Sequence, residues 1–143
     1  MKITFLKRSN KKLSEFKKHE WELVHLEHYG KKLDWNYWDV KKIRIKVEDN
    51  GKIVGGLAGH TMAGVFYIAE LIVDHNERGA GIGKALMDKA VKYARKNNIH
   101  LLYLETGEDW RAVKFYEKLG FKKVTLLEKF FSKKNFWLMI KYL

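Results

Sequence analysis

Residues 70–86, ELIVDHNERGAGIGKAL, carry an apolar, β-rich run into a helical pattern through glycines at alternate positions, Gly79, Gly81 and Gly83. Arg78 stands directly before them and Lys84 directly after. Two familiar phosphate loops fail on spacing. A Walker A loop needs G-x-x-x-x-G-K followed by Ser or Thr; Arg78 occupies the first glycine position and Ala85 offers no hydroxyl for magnesium. The dinucleotide fingerprint G-x-G-x-x-G ends on Lys84 when started at Gly79 and on Leu86 when started at Gly81. What remains is strand, glycine loop, helix. Lacking Cβ atoms, these glycines let backbone N–H groups turn to one concave point, where the positive end of the helix dipole adds to an anion site. The same glycines would also serve to let helix and strand pack closely. Arg78 and the buried-type strand before it favour a pyrophosphate ligand.

Working outward, GVFYIAELIVD (64–74) reads as a strand buried on both faces. Upstream, KIRIKVED (42–49) alternates apolar and polar residues, and Asn50-Gly51 signals a tight hairpin into KIVGGLAGH (52–60). Before that, apolar residues from Lys11 to Tyr29 recur at helical spacing up to a stop at Gly30, KLDWNYWDV (32–40) is ambiguous with room for a short helix, and KITFL (2–6) reads as a first strand. Downstream, Ile82, Ala85, Leu86, Ala90, Tyr93 and Ala94 mark one face of a helix reaching about Asn97. IHLLYLET (99–106) is a second buried strand. DWRAVKFYEKLG (109–120) is a helix with Asp109 as N-cap and Gly120 as stop. KKVTLLEKFF and NFWLMIKYL supply two closing strands. The order β-α-α-β-β-β-α-β-α-β-β predicts an α/β protein with one mixed sheet.

The 143 residues suit a single domain, and 46% apolar content is too high for a disordered chain. No run approaches a membrane span, and MKITFLKRSNKK is a poor secretory signal. The absence of cysteine excludes disulfides, thiolate metal sites and a cysteine nucleophile, and fits a reducing cytoplasm. A net charge of +12 attracts polyanions without selecting nucleic acid, an acidic surface or a phosphorylated ligand. The lysines are dispersed and no nucleic-acid-binding signature is present, so no nucleic-acid partner is expected. His25 and His28 lack a third ligand at metal spacing, so no metal is expected either.

The glycine stretch resembles the acetyl-CoA-binding motif of the GCN5-related N-acetyltransferases, whose signature is Gln or Arg, two residues, Gly, one residue, then Gly or Ala: here Arg78, Gly81 and Gly83. RAVKFYEKLGF (111–121) is similar to the family's second segment, a helix ending in a tyrosine-containing FYEKLGF. The match covers residues 64–121, and two motifs at this separation in strand–helix context are a specific signal. The resemblance implies a sheet of about six or seven strands flanked by about four helices. It implies acetyl-CoA as donor, with the pyrophosphate held by Arg78, Gly79, Ala80, Gly81, Ile82, Gly83 and Lys84. The pantetheine arm would then lie along a locally splayed strand at Leu71, Ile72 and Val73.

Acetyl transfer to an amine also needs a proton donor for the leaving thiolate and an acceptor for the amine proton. Helical periodicity alone makes Tyr116 a packing residue beside Phe115; the resemblance makes its hydroxyl the acid, for which a phenol of pKa ~10 is suited. Glu70 lies inside an apolar run, where an ionised carboxylate costs several kcal/mol unless paired (~2–7 for a polar group alone). It reads equally well as base, as orienting charge or as a salt-bridged structural residue. Where the family often has an asparagine contacting the cofactor arm, this chain has Asp109, which cannot donate an amide hydrogen bond. His60 and His75 flank the site, and Trp35, Tyr37 and Trp38 fall where the family borders its acceptor pocket, as an aromatic wall or as core. The expected activity is direct acetyl transfer to a primary amine of a small molecule or protein. Another acyl group or acceptor on the same fold and a basic nucleic-acid module are the alternatives. Many relatives are dimers, often through their C-terminal strands, and NFWLMIKYL is apolar enough for a homodimer contact or for core.

Overall fold

A computed structural model describes all 143 residues, in two compact units, Met1–Asn36 and Tyr37–Leu143. In the first unit, Asn10 caps helix α1 (Lys11–Tyr29) by accepting a hydrogen bond from the Leu13 N–H at 2.9 Å. Gly30, at φ 66°, ends it with its own N–H donating to the Leu26 carbonyl. Residues 2–6 form no strand. Ile3 and Phe5 are exposed, and a β-pattern without a ladder to join leaves its backbone groups to water. The short helix α2 (Trp35–Trp38) spans the boundary in the chain.

The second unit follows the expected order. Asn50 and Gly51 both take positive φ, as a type I′ turn requires, and close β1 (Lys41–Asp49) onto β2 (Lys52–Met62). A second such turn, Ala63-Gly64, leads into β3 (Val65–Val73). Helix α3 (Ile82–Lys96) crosses over to β4 (Leu101–Gly107), which therefore runs parallel to β3. Helix α4 (Ala112–Lys118) precedes the antiparallel pair β5 (Lys122–Leu127) and β6 (Phe136–Tyr142). The six strands lie in the order β1-β2-β3-β4-β6-β5. The whole chain thus has four helices and one mixed six-stranded sheet, and no helix is long and apolar enough to cross a membrane.

The apolar stripe of α3, Leu86, Met87, Ala90 and Ala94, packs into one core with Leu57, Phe66, Ile68, Leu102, Leu104 and Met139 of the sheet and with Tyr116 and Phe121. Gly55 of β2 admits the helix. A Cβ there would come within 2.8 Å of Ile82 Cγ2 and 3.2 Å of Leu86 Cδ1.

Two further expectations are corrected. β3 is not buried on both faces along its length: Phe66 and Ile68 are buried, but Ala69, Glu70 and Ile72 are exposed. Asp109 does not cap α4, which starts three residues later behind Arg111. Gly107 is the cause. Its missing side chain lets the Trp110 indole fold back to where a Cβ would meet Nε1 at 2.5 Å. The Trp110 N–H then donates to the Gly107 carbonyl and spends residues 108–110 on a turn before the helix.

Candidate active site

The site begins where two parallel strands part. β3 and β4 are hydrogen-bonded only over Val65/Leu101, Phe66/Leu102 and Tyr67/Tyr103. Beyond that point β3 stays bonded to β2 as far as Val73, and β4 to β6 as far as Gly107. The facing edges therefore carry backbone N–H and C=O groups with no ladder partner between them, a place for a chain that is itself rich in amides. Leu71, Ile72 and Val73 all lie on the unpaired stretch of β3.

A β-bulge sets what each face of the sheet shows. Ala58 of β2 opposes Glu70 and Gly59 opposes Ile68, so Ala69 is the extra residue. In a regular strand Tyr67 and Glu70, three apart, would point to opposite faces. The bulge restores them to one face, away from α3. Tyr103 stacks on Tyr67 at 4.8 Å, His60 meets Tyr67 edge-on at 5.3 Å, and Glu105, two residues beyond Tyr103, shares that face. Burial first, then the neighbouring Glu105 carboxylate, push the Tyr67 hydroxyl up to about 12, so it stays neutral beside that carboxylate. Two carboxylates, Glu70 and Glu105, thus stand on the two banks of the gap. Glu70 is exposed and Glu105 half-buried, so the cost argument that singled out Glu70 applies with more force to Glu105. Glu105 carries the same sequence signal as Glu70, a carboxylate inside an apolar strand.

At the end of β3, Asp74 accepts from the Asn76 N–H at 2.9 Å and from Lys52 Nζ at 2.7 Å, pinning the turn that leaves the strand. The Lys52 hydrogen bond holds its carboxyl below the ordinary range. Gly79 (φ 85°) and Gly81 (φ 83°) are both left-handed with open space where a Cβ would stand, and Gly81 is the N-cap of α3. No side chain caps α3 and no acid sits in its first turn; its first backbone bond runs from Ala85 N–H to Gly81 C=O. The N–H groups of Ile82, Gly83 and Lys84 therefore end the helix without helical partners, at its positive pole. Arg78 is extended and exposed at the mouth of this loop. Lys84 is less free than the sequence suggested, because its Nζ donates to Asp88 Oδ2 at 2.6 Å; both side chains are exposed, so the pair is weak. Gly83 works by the other route. A Cβ there would lie 3.2 Å from Phe115 Cζ and 3.6 Å from Leu71 Cδ2, so its absence lets β3, α3 and α4 meet. The glycines thus do different work at different positions: Gly79 and Gly81 take left-handed backbone, and Gly83 makes room for packing.

A substitution separates them. Gly81→Ala meets no atom but forces a side chain into the left-handed region, at a cost of about 1–2 kcal/mol. The melting point should fall by about 3–8 °C, and Gly81→Asn, which tolerates that region better, by less. Equal melting points for Ala and wild type in thermal unfolding would remove the backbone argument.

Tyr116 is 8% exposed and sits in the core, edge-on to Phe115 at 5.1 Å and Phe121 at 5.7 Å. Burial pushes its phenol up. Asp109 stays exposed in the turn before α4. Tyr37 is not at the gap: its hydroxyl donates to the Ala63 carbonyl at 2.9 Å, at the end of the sheet where β3 and β4 are still bonded. Aromatic residues do gather near the open end, where Trp110 lies edge-on to Phe136 at 5.4 Å and Phe131 to Phe136 at 5.2 Å.

Residues 10–121 match the family model described as the Acetyltransferase (GNAT) family, and the chain belongs to that family. It is 36% identical over 111 residues to an uncharacterized N-acetyltransferase of Methanocaldococcus jannaschii, a match covering 67% of this chain and 49% of that protein. The chain spans about half the length of the curated relatives that it matches in this way. In fold it is similar to an acetyltransferase from Bacillus cereus, with a TM-score of 0.72, 20% identity and 98% of each chain covered. It is also similar to a Bacillus anthracis protein described as a streptothricin acetyltransferase and solved with acetyl coenzyme A: TM-score 0.66, 24% identity, 78% of this chain and 69% of that one.

Proposed function

We propose that the chain acts as a single-domain cytoplasmic N-acetyltransferase that moves the acetyl group of acetyl-CoA directly to a primary amine. The observation that carries this reading is the parting of β3 and β4 beyond Tyr67 and Tyr103, with an uncapped helix N-terminus on one face and two carboxylates on the other. The residues fit the cofactor. The free N–H groups of the Arg78–Lys84 loop suit a pyrophosphate, and the unpaired edge at Leu71, Ile72 and Val73 suits the amides of the pantetheine arm. Bound there, acetyl-CoA supplies an activated thioester carbonyl.

The chain's own groups then have distinct work. A backbone N–H on the free edge of β3 polarises the carbonyl, a contribution of about 10²–10³ in rate. Tyr116, neutral and buried, holds the proton that a thiolate needs. Glu105 takes the proton of the incoming ammonium, and Glu70, exposed on the opposite bank, orients the cation through its charge. No cysteine exists to carry an acyl intermediate, and Ser132 lies in the β5–β6 loop, so transfer is direct. The overall charge of +12 disfavours a cationic acceptor at long range; the local carboxylates offset this at the site.

Thermal unfolding tests the cofactor. At 100 times its Kd, acetyl-CoA should add about 2.7 kcal/mol, several degrees of melting point. Heparin should not reproduce a saturable rise, and pyrophosphate, which offers only the group the loop holds, should give a smaller one at the same concentration. No response from folded protein would end the acetyltransferase reading.

A further inference from the structure

Thr106 is 2% exposed, and its hydroxyl oxygen is sealed from solvent without a hydrogen-bond partner. Leaving such a group unpaired costs about 1–3 kcal/mol, and a valine of the same shape would avoid that cost in a strand. Stability therefore does not explain a threonine here.

Its position does. Thr106 follows Leu102 and Leu104 by even steps, on the face of β4 that packs α3 and Tyr116, and three residues past the last pairing with β3. The backbone of Thr106 is still held, opposite Trp137 of β6. The edge towards β3 is not: there the two strands have already parted, and no sheet hydrogen bond spans the gap beside Thr106. The neighbouring candidate, Asp109, cannot donate as an ionised carboxylate and is exposed in a turn.

We infer that the Thr106 hydroxyl donates a hydrogen bond to an amide carbonyl of the pantetheine arm of coenzyme A, fixing how far the thioester advances into the gap. This rests on the cofactor reading above, and the test separates the two. Coenzyme A and its head fragment, adenosine 3′,5′-bisphosphate, would be titrated calorimetrically into wild type, Thr106→Val and Thr106→Ser. Thr106→Val should weaken coenzyme A about 5- to 20-fold, leave the bisphosphate within about 2-fold, and melt at the wild-type temperature or above without ligand. Thr106→Ser should restore most of the coenzyme A affinity. Unchanged coenzyme A binding by the valine variant overturns the assignment while the cofactor reading stands. An equal loss of bisphosphate, or a lower melting point without ligand, assigns the hydroxyl a structural role and overturns it too. Wild type that binds neither ligand overturns both.

Discussion

Replacing Tyr116 with phenylalanine should lower kcat by about 100-fold or more while leaving the Kd for acetyl-CoA and the melting temperature close to wild type. The ring keeps its edge contacts with Phe115 and Phe121, so the substitution removes a proton and little packing. The pH dependence sharpens the test. Burial raises the phenol above its ordinary value of 10.0, because the charged phenolate is the form that burial penalises. A raised folded-state pKa means the neutral form, and the stability that goes with it, is intact below about 10 and lost as pH rises through the raised value. An acid that must be protonated to act therefore gives an alkaline limb in kcat only above about pH 10, and the phenylalanine variant should lack that limb. Stopped-flow or thiol-release assays across pH would read both. Undiminished turnover would return Tyr116 to the packing role that its helical spacing suggests by itself.

The elements were legible wherever the deciding interactions were local. Asn50-Gly51 needs only its own backbone to make a hairpin, and the stripe from Leu86 to Ala94 needs only a period of 3.6 to mark the buried face of α3. The failures were all non-local. KITFL has a strand's alternation but no neighbour to pair with. Asp109 is a good cap residue displaced by the Trp110 indole lying on Gly107. The gap between β3 and β4 leaves no mark, because a run of apolar residues does not say which neighbour each edge has lost. The bulge at Ala69 is equally silent, since a small apolar residue fits a strand with or without it. Yet that bulge decides on which face Glu70 stands, and so which carboxylates share the site.

Glu105→Gln should cost about 100-fold or more in kcat, and Glu70→Gln less than about 10-fold, mostly as a higher KM for the acceptor. The difference follows from their surroundings. Glu70 is exposed, where water and salt screen its charge and leave it a weak, long-range orienting group. Glu105 is half-buried beside the stacked Tyr67 and Tyr103 rings, where a carboxylate acts with less screening. Tyr67 cannot replace it. With its hydroxyl pushed up to about 12 beside Glu105, it stays neutral across the working range and has no capacity to take an ammonium proton. The pH profile distinguishes a base from a mere charge. An alkylamine titrates near ~10.4, so its free-amine fraction grows about tenfold for each pH unit between 7 and 9. An enzyme without its base should recover as that fraction rises, and the Glu105→Gln deficit should shrink across that range. A deficit that stays constant with pH, or a larger kcat loss in Glu70→Gln, would reverse the two roles and make the exposed carboxylate on β3 the proton acceptor.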